Sequence, residues 1–434
     1  MRLSRAKLRG TDPSGNAERY RLFATLGGLY LAQGIPTYLI AAALPPVLRE
    51  AGVSRSAIGF FSLLMLPLVL KFLWAPFIDR FSFLKIGHRR GWIVPMQVVT
   101  ASGIAVLAFI EPTNVTGLFV VCLTMALAMS AQDIATDGYA TNSLSEKDRG
   151  IGNAFQGGAV ALGVVVGGTL SLILFETYGW TPTLLFVAAL SLLPLLVTPL
   201  MRERVSGPPS AETEEKTISK PSLRAFFMRP EAVQIFVIAL IFRASEGLVK
   251  AMEGPYLVDV GLSLSWIGYL SGVSAATAGI IGSVIAVGLI KWQGASRSLI
   301  ILGLLRTICF TAFALHALGI YEPLWTVMSA AAFQTFIRYM EIVILYSLFM
   351  SVASRSQPGT DFTLLACAQL IVYLIGSMTS GFIADQFGYD GLFVLAAVLS
   401  GLAVLATVKL LSRSSRMSAP HKTAQTAAQN GPVS

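Results

Sequence analysis

Runs of mostly apolar residues, each closed by a short polar or basic stretch, recur along the whole chain. Crossing a bilayer takes about 20 such residues. Twelve segments reach that length: 22–47, 57–78, 92–110, 116–140, 151–175, 181–201, 231–256, 265–290, 298–319, 324–350, 359–384 and 391–411. Pro36, Pro67, Pro76 and Pro95 interrupt the first three, which is tolerated where neighbouring helices satisfy the freed backbone groups. The first run is too long for a signal-peptide core and has no small-residue cleavage site after it, so it is expected to stay as an uncleaved helix. The pattern predicts an all-α integral membrane protein with twelve transmembrane helices.

Composition agrees. Hydrophobic residues make up 54% of the chain and charged residues 13%, against roughly 25% charged in soluble domains. The net charge of +9 would suit a nucleic-acid partner, but its placement points elsewhere. With both termini cytoplasmic, 25 of the 32 Lys and Arg fall in segments on that side. The opposite face has Arg49 and Arg55 against seven acids. That asymmetry is a topology signal, and no nucleic-acid partner is expected. Cys122, Cys309 and Cys367 lie in apolar segments without CxxC spacing, and His88, His316 and His421 are scattered. Neither a disulfide framework, a metal site nor a cofactor is expected.

The chain also repeats itself. Pro46-x-Leu48-x-Glu50-x-Gly52-x-Ser54-x-Ser56-x-Ile58-Gly59 returns 209 residues later as Pro255-x-Leu257-x-Asp259-x-Gly261-x-Ser263-x-Ser265-x-Ile267-Gly268. Tyr178-Gly179-Trp180 and Phe387-Gly388-Tyr389 share that offset. Self-similarity of this kind fixes architecture. It predicts two six-helix halves of the same orientation, 22–201 and 230–412, between a cytoplasmic tail 1–21, a Pro/Ser/Glu/Lys-rich cytoplasmic linker 202–229 and a disordered cytoplasmic tail 413–434. Two parallel repeats joined in this way resemble the major facilitator fold, in which substrate binds between the halves near the midplane.

Ten charges remain inside the helices: Lys71, Asp133, Asp137, Arg243, Glu246, Lys250, Glu253, Arg306, Arg338 and Glu341. Each costs roughly 2.5–3.5 kcal/mol at the bilayer centre, so burial demands a partner or water. Arg243, Glu246, Lys250 and Glu253 are spaced to stack on one face of helix 7 as neighbours of alternating sign. Arg338 and Glu341 are three apart on helix 10. With Lys71, Gln33 and Tyr38, these are the candidate substrate-cavity residues, Glu253 excepted. A structural ladder locking helix 7 to helix 10 is the alternative, and Glu253 and Arg306, nearer the interfaces, could instead snorkel to water.

Asp133 and Asp137, one turn apart on helix 4, disfavour joint ionisation. Asp133, Glu246 and Glu341 are therefore the candidate proton carriers, and protons a candidate partner. Asp137 could instead face Arg80, Arg89 or Arg90. Asp79-Arg80 and Gly87-His88-Arg89-Arg90 resemble the facilitator gating motif, with Ala75 in place of its first glycine and extra residues inserted. Asp79, Arg80, Arg89, Arg90 and Asp137 are accordingly the candidate gating residues.

The combination KFLWAPFIDR, HRRGW and SAQDIATDGYA resembles the AmpG-type branch of the facilitators. That branch includes muropeptide permeases, acetyl-CoA carriers and siderophore permeases of the RhtX/FptX type. Ser130, Gln132, Asp133 and Asp137 are its most specific element. The overall sequence is most similar to the RhtX/FptX type, which implies import of a siderophore, with or without its iron, across a bacterial inner membrane. A muropeptide or another small polar anion is the alternative cargo. A membrane-embedded enzyme is the remaining reading. It would need a nucleophile or acid–base group at an interface, and the distal loops are short, with only His316 near an acid, Glu322.

Overall fold

The computed structural model describes residues 13–144, 149–203, 223–354 and 358–429. The linker expected over 202–229 therefore falls largely outside the described residues, as do 1–12 and 430–434.

Twelve crossings are present among the described residues. In chain order they are α1 (13–50), α2 (55–80), α3 (Arg90–Leu107), α4 (Val115–Ser143), α5 (149–178), α6 (180–200), α7 (Pro230–Asp259), α8 (264–293), α9 (Ala295–Ala317), α10 (Leu324–Val352), α11 (358–387) and α12 (389–429). Helix continues to Gln429, past 413 where the disordered tail is expected to start. Helix also begins at Pro13, within the expected tail 1–21, and Glu18 there pairs with Arg21 and Arg202.

Local chemistry explains where the helices are irregular. A π segment, Leu39–Ala43, follows Pro36 in α1. In α2, 3-10 turns at Phe61–Met65 and Lys71–Leu73 precede Pro67 and Pro76, whose missing N–H groups break the ladder. Pro95, by contrast, lies inside an unbroken α3. Such π and 3-10 stretches mark places where side chains must be re-aimed. Large apolar side chains such as Phe109, Leu196 and Val284 face outward, where lipid is their solvent.

The repeated motif lies along the seam between the halves, on the face opposite the chain ends (the distal face). Gly52 and Gly261 close matching turns at φ +85° and +91°, a region that favours glycine. Ser54 and Ser263 are extended N-cap residues whose hydroxyls accept from Ala57 and Trp266 N–H. Leu48, Leu257, Ile58 and Ile267 are buried. A Cβ on Gly59 would meet Gly381 N of α11 at 3.0 Å, and one on Gly268 would meet Thr169 O of α5 at 3.0 Å. The second match falls at the α5–α6 and α11–α12 corners, turned by Gly179 at φ +79° and Gly388 at φ +71°.

Bonds between the halves cluster at this distal face. Arg49 Nε donates to Asp259 Oδ1 at 2.7 Å, Arg55 Nη1 to Ala384 O at 3.0 Å and Thr169 Oγ1 to Gly268 O at 2.9 Å. The distal face is closed.

Candidate functional site

Between the halves lie two charged groups, one on each side. In the first half, the break in α2 presents Lys71 to α4. Its Nζ donates to Asp133 Oδ2 at 2.5 Å and lies 3.5 Å from Asp137 Oδ2. Tyr30 OH of α1 donates to Asp137 Oδ1 at 3.2 Å. One ammonium thus bridges two carboxylates one turn apart on α4. The Lys71 and Asp137 side chains keep 36% and 44% of their surface accessible, so neither is sealed in the packing.

The second half carries a larger cluster. Glu246 of α7 is hydrogen-bonded to Arg243 one turn earlier and lies 2.9 Å from Arg338 Nε of α10 in ion-pair contact. Glu341, one turn from Arg338, accepts from Arg306 Nη1 of α9 at 3.0 Å. Arg306 Nε reaches Ser400 Oγ of α12 at 3.3 Å, and its guanidinium lies 4.2 Å from the centre of the Phe242 ring. Three arginines face two glutamates, leaving one positive charge. Buried pairs of this kind hold only where hydrogen bonds compensate the lost hydration.

Accessibility separates the roles within the cluster. Arg243, Glu246, Arg306 and Glu341 are buried, whereas Arg338 keeps 29% of its side chain open. The guanidiniums of Arg243 and Arg338 each lie 5.6 Å from the ring centre of Tyr373 of α11, within cation–π range. Tyr38 of α1 lies within electrostatic reach of Arg338, Tyr339 and Tyr373 across the gap. Gln33 Nε2 and both amide atoms of Gln132 are buried without a protein hydrogen-bond partner.

Several sequence expectations are corrected here. Arg306 does not snorkel; it is 1% exposed and joins the central cluster. The physical reason is Glu341, whose buried carboxylate holds it better than the distant interface would. Glu253 is likewise buried, accepting from Lys250 Nζ at 2.7 Å. Helix 7 therefore carries two separate pairs rather than one continuous ladder. Sequence reasoning missed Tyr373, and it counted Arg306 among the intrahelical charges without placing it in the central cluster. No local spacing marks Tyr373, and Arg306 is recognisable only once α9 is packed on α10.

The side chains of Asp79 and Arg80 lie outside the described residues. Arg89 packs against α4, where a Cβ on Gly138 would sit 2.4 Å from its Cζ. Arg90 Nη2 donates to Met201 O at 2.6 Å, and the Arg89 and Arg90 N–H groups donate to Glu203 at 3.1 and 2.7 Å. These bonds fasten the 2–3 loop to the end of α6, and Glu203 is a further partner that the sequence did not reveal.

A cavity of about 740 Å³ lies elsewhere, on the flank between α8, α9 and α10, lined by Leu270, Val273, Ile308, Phe333 and Phe336 among others. It is apolar and touches none of these charges.

A twelve-helix membrane bundle of two matched halves, with a charged group in each half, is the architecture of a multi-pass membrane transporter. The chain belongs to the Major Facilitator Superfamily, whose family model matches residues 26–364. It is 27% identical over 382 residues to the anhydromuropeptide permease of Escherichia coli (strain K12), covering 87% of this chain and 77% of that protein. Solved structures share the fold. A bacterial homologue of the human lysosomal transporter Spinster, in an inward-facing and unoccupied conformation, superposes with TM-score 0.70 at 15% identity, covering 93% of this chain and 99% of that one. A D-xylose–proton symporter gives TM-score 0.66 at 15% identity, covering 90% and 97%.

Proposed function

We propose that this protein imports a sugar-peptide of the muropeptide class across a bacterial inner membrane, coupled to protons, by alternating access. The observation that carries this reading is the 27% identity to an anhydromuropeptide permease over 87% of the chain. The interior chemistry is compatible. A muropeptide offers sugar rings for aromatic faces such as Tyr38 and Tyr373, and carboxylates for Arg338, which forms planar two-point contacts with them. The Lys71–Asp133–Asp137 group would take the proton. The siderophore expectation rests on the sequence resemblance alone, and the relatives support the sugar-peptide alternative instead.

On this reading the terminal face, with its basic tails and loops, lies in the cytoplasm. With the distal face closed, this reading makes the structure an inward-facing state, with release on the cytoplasmic side. Binding from outside requires the halves to rock until the distal seam parts.

The test is uptake by proteoliposomes of a labelled anhydromuropeptide, beside a ferric siderophore, with and without an inward proton gradient. Gradient-driven accumulation of the first alone supports the proposal. Accumulation of the siderophore alone overturns it and restores the other cargo.

A further inference from the structure

The repeat extends to two acids that its short motif does not contain. Glu176, at the end of α5, and Asp385, at the end of α11, are separated by the same 209 residues. Each reaches across to the other half. Asp385 Oδ2 accepts from Ser56 N–H at 2.9 Å and from Ser56 Oγ at 2.6 Å, in the first turn of α2. Glu176 Oε2 accepts from Ser265 N–H at 2.5 Å, in the first turn of α8. Ser56 and Ser265 are themselves repeat partners, which explains the duplicated Ser-x-Ser. The first serine caps its own helix, and the N–H of the second is left for a carboxylate of the opposite half.

We propose that Glu176 and Asp385 are a two-fold related pair of clasps that hold the distal face shut and must let go for it to open. A carboxylate on the free N–H groups of a helix start is favoured by charge-assisted bonding and by the helix dipole. Both contacts join elements of different halves, so neither survives separation of the halves at that face. They are also easily undone, because both acids are exposed and water can replace each bond as it breaks.

The two clasps are unequally supported. Beside Asp385, Arg55 donates to Ala384 O at 3.0 Å, lies 3.5 Å from Asp259 and packs over the Tyr389 ring at 4.2 Å. Its repeat counterpart is Leu264, and that of Arg49 is Val258. The α5–α8 seam therefore depends more heavily on its acid than the α2–α11 seam does.

The inference rests on the alternating-access reading, and its test reads opening of the face directly, so it fails or succeeds independently of the cargo. Spin labels at Thr113→Cys and Glu322→Cys, on distal loops of the two halves, report the separation by pulsed electron resonance with the three native cysteines replaced. Glu176→Gln is expected to raise the open-to-closed ratio about tenfold, equal to about 1.4 kcal/mol. Asp385→Asn is expected to raise it less, and the double variant more than either. Unchanged distance distributions in the double variant overturn the proposal. A second arm joins Glu176→Cys to Ser265→Cys through a reducible thiol linker. Locked protein is expected to lose the long-distance population and regain it on reduction, and a locked protein that still opens overturns the proposal as well.

Discussion

Glu246→Gln removes one charge from the buried cluster while nearly preserving its volume. Glu246 is fully buried, bonded to Arg243 and 2.9 Å from Arg338 Nε. Removing one partner of a buried pair costs about 3–5 kcal/mol, because the other charge is left uncompensated. Here three arginines would face Glu341 alone, which places the cost toward the upper end of that range. Arg338, 29% accessible, can relax toward the interior, but Arg243, at 4%, cannot. Unfolding in mixed detergent micelles, followed by circular dichroism, measures the loss. A variant within about 1 kcal/mol of the parent refutes the reasoning. The double variant Arg243→Met/Glu246→Leu is the control. Replacing both members of a buried pair with apolar groups is often neutral, so most of the stability should return while transport stays impaired. A double variant as unstable as the single one would show that packing, not charge, is at stake.

Three further outcomes are expected. Asp133→Asn, which takes away the 2.5 Å partner of Lys71, should abolish proton-driven accumulation while leaving membrane insertion intact; full accumulation in vesicles counts against the coupling role. Arg338→Gln should raise the half-saturating substrate concentration about tenfold with little change in stability, whereas Arg306→Gln should cost about 3–5 kcal/mol of stability; uptake titrations and unfolding curves with the reverse pattern would contradict the division between an exposed and a sealed arginine. Gly381→Val would place a Cβ 2.1 Å from Arg55 O, so α2 and α11 must part; faster thiol labelling inside the distal seam is expected, and unchanged labelling would show that the seam yields without opening.

Much of the architecture was legible because lipid imposes a simple rule. Each crossing must be long, apolar and internally hydrogen-bonded, so twelve segments, two halves and the positions of the buried charges could be read from one dimension. The corner at Gly388 was legible too, since its partner Gly179 lies at the same repeat offset. The candidate site was only partly readable. Asp133 and Asp137 were legible as neighbours one turn apart, but their shared contact with Lys71, the burial of Arg306, the approach of two guanidiniums to Tyr373 and the hold of Glu203 on the 2–3 loop depend on helices that are neighbours in space and remote in sequence.

By itself, then, the sequence determined the class of protein, its duplication and which residues must be paired inside it, because hydrophobic length, repeat offset and the cost of a buried charge are properties of the chain. Only the tertiary structure decided which charge meets which, which arginine stays open to the interior and which face is shut. Those depend on ångström-scale distances across helix seams, and Glu176 and Asp385 gain meaning only when the seam places each over the first turn of a helix in the other half.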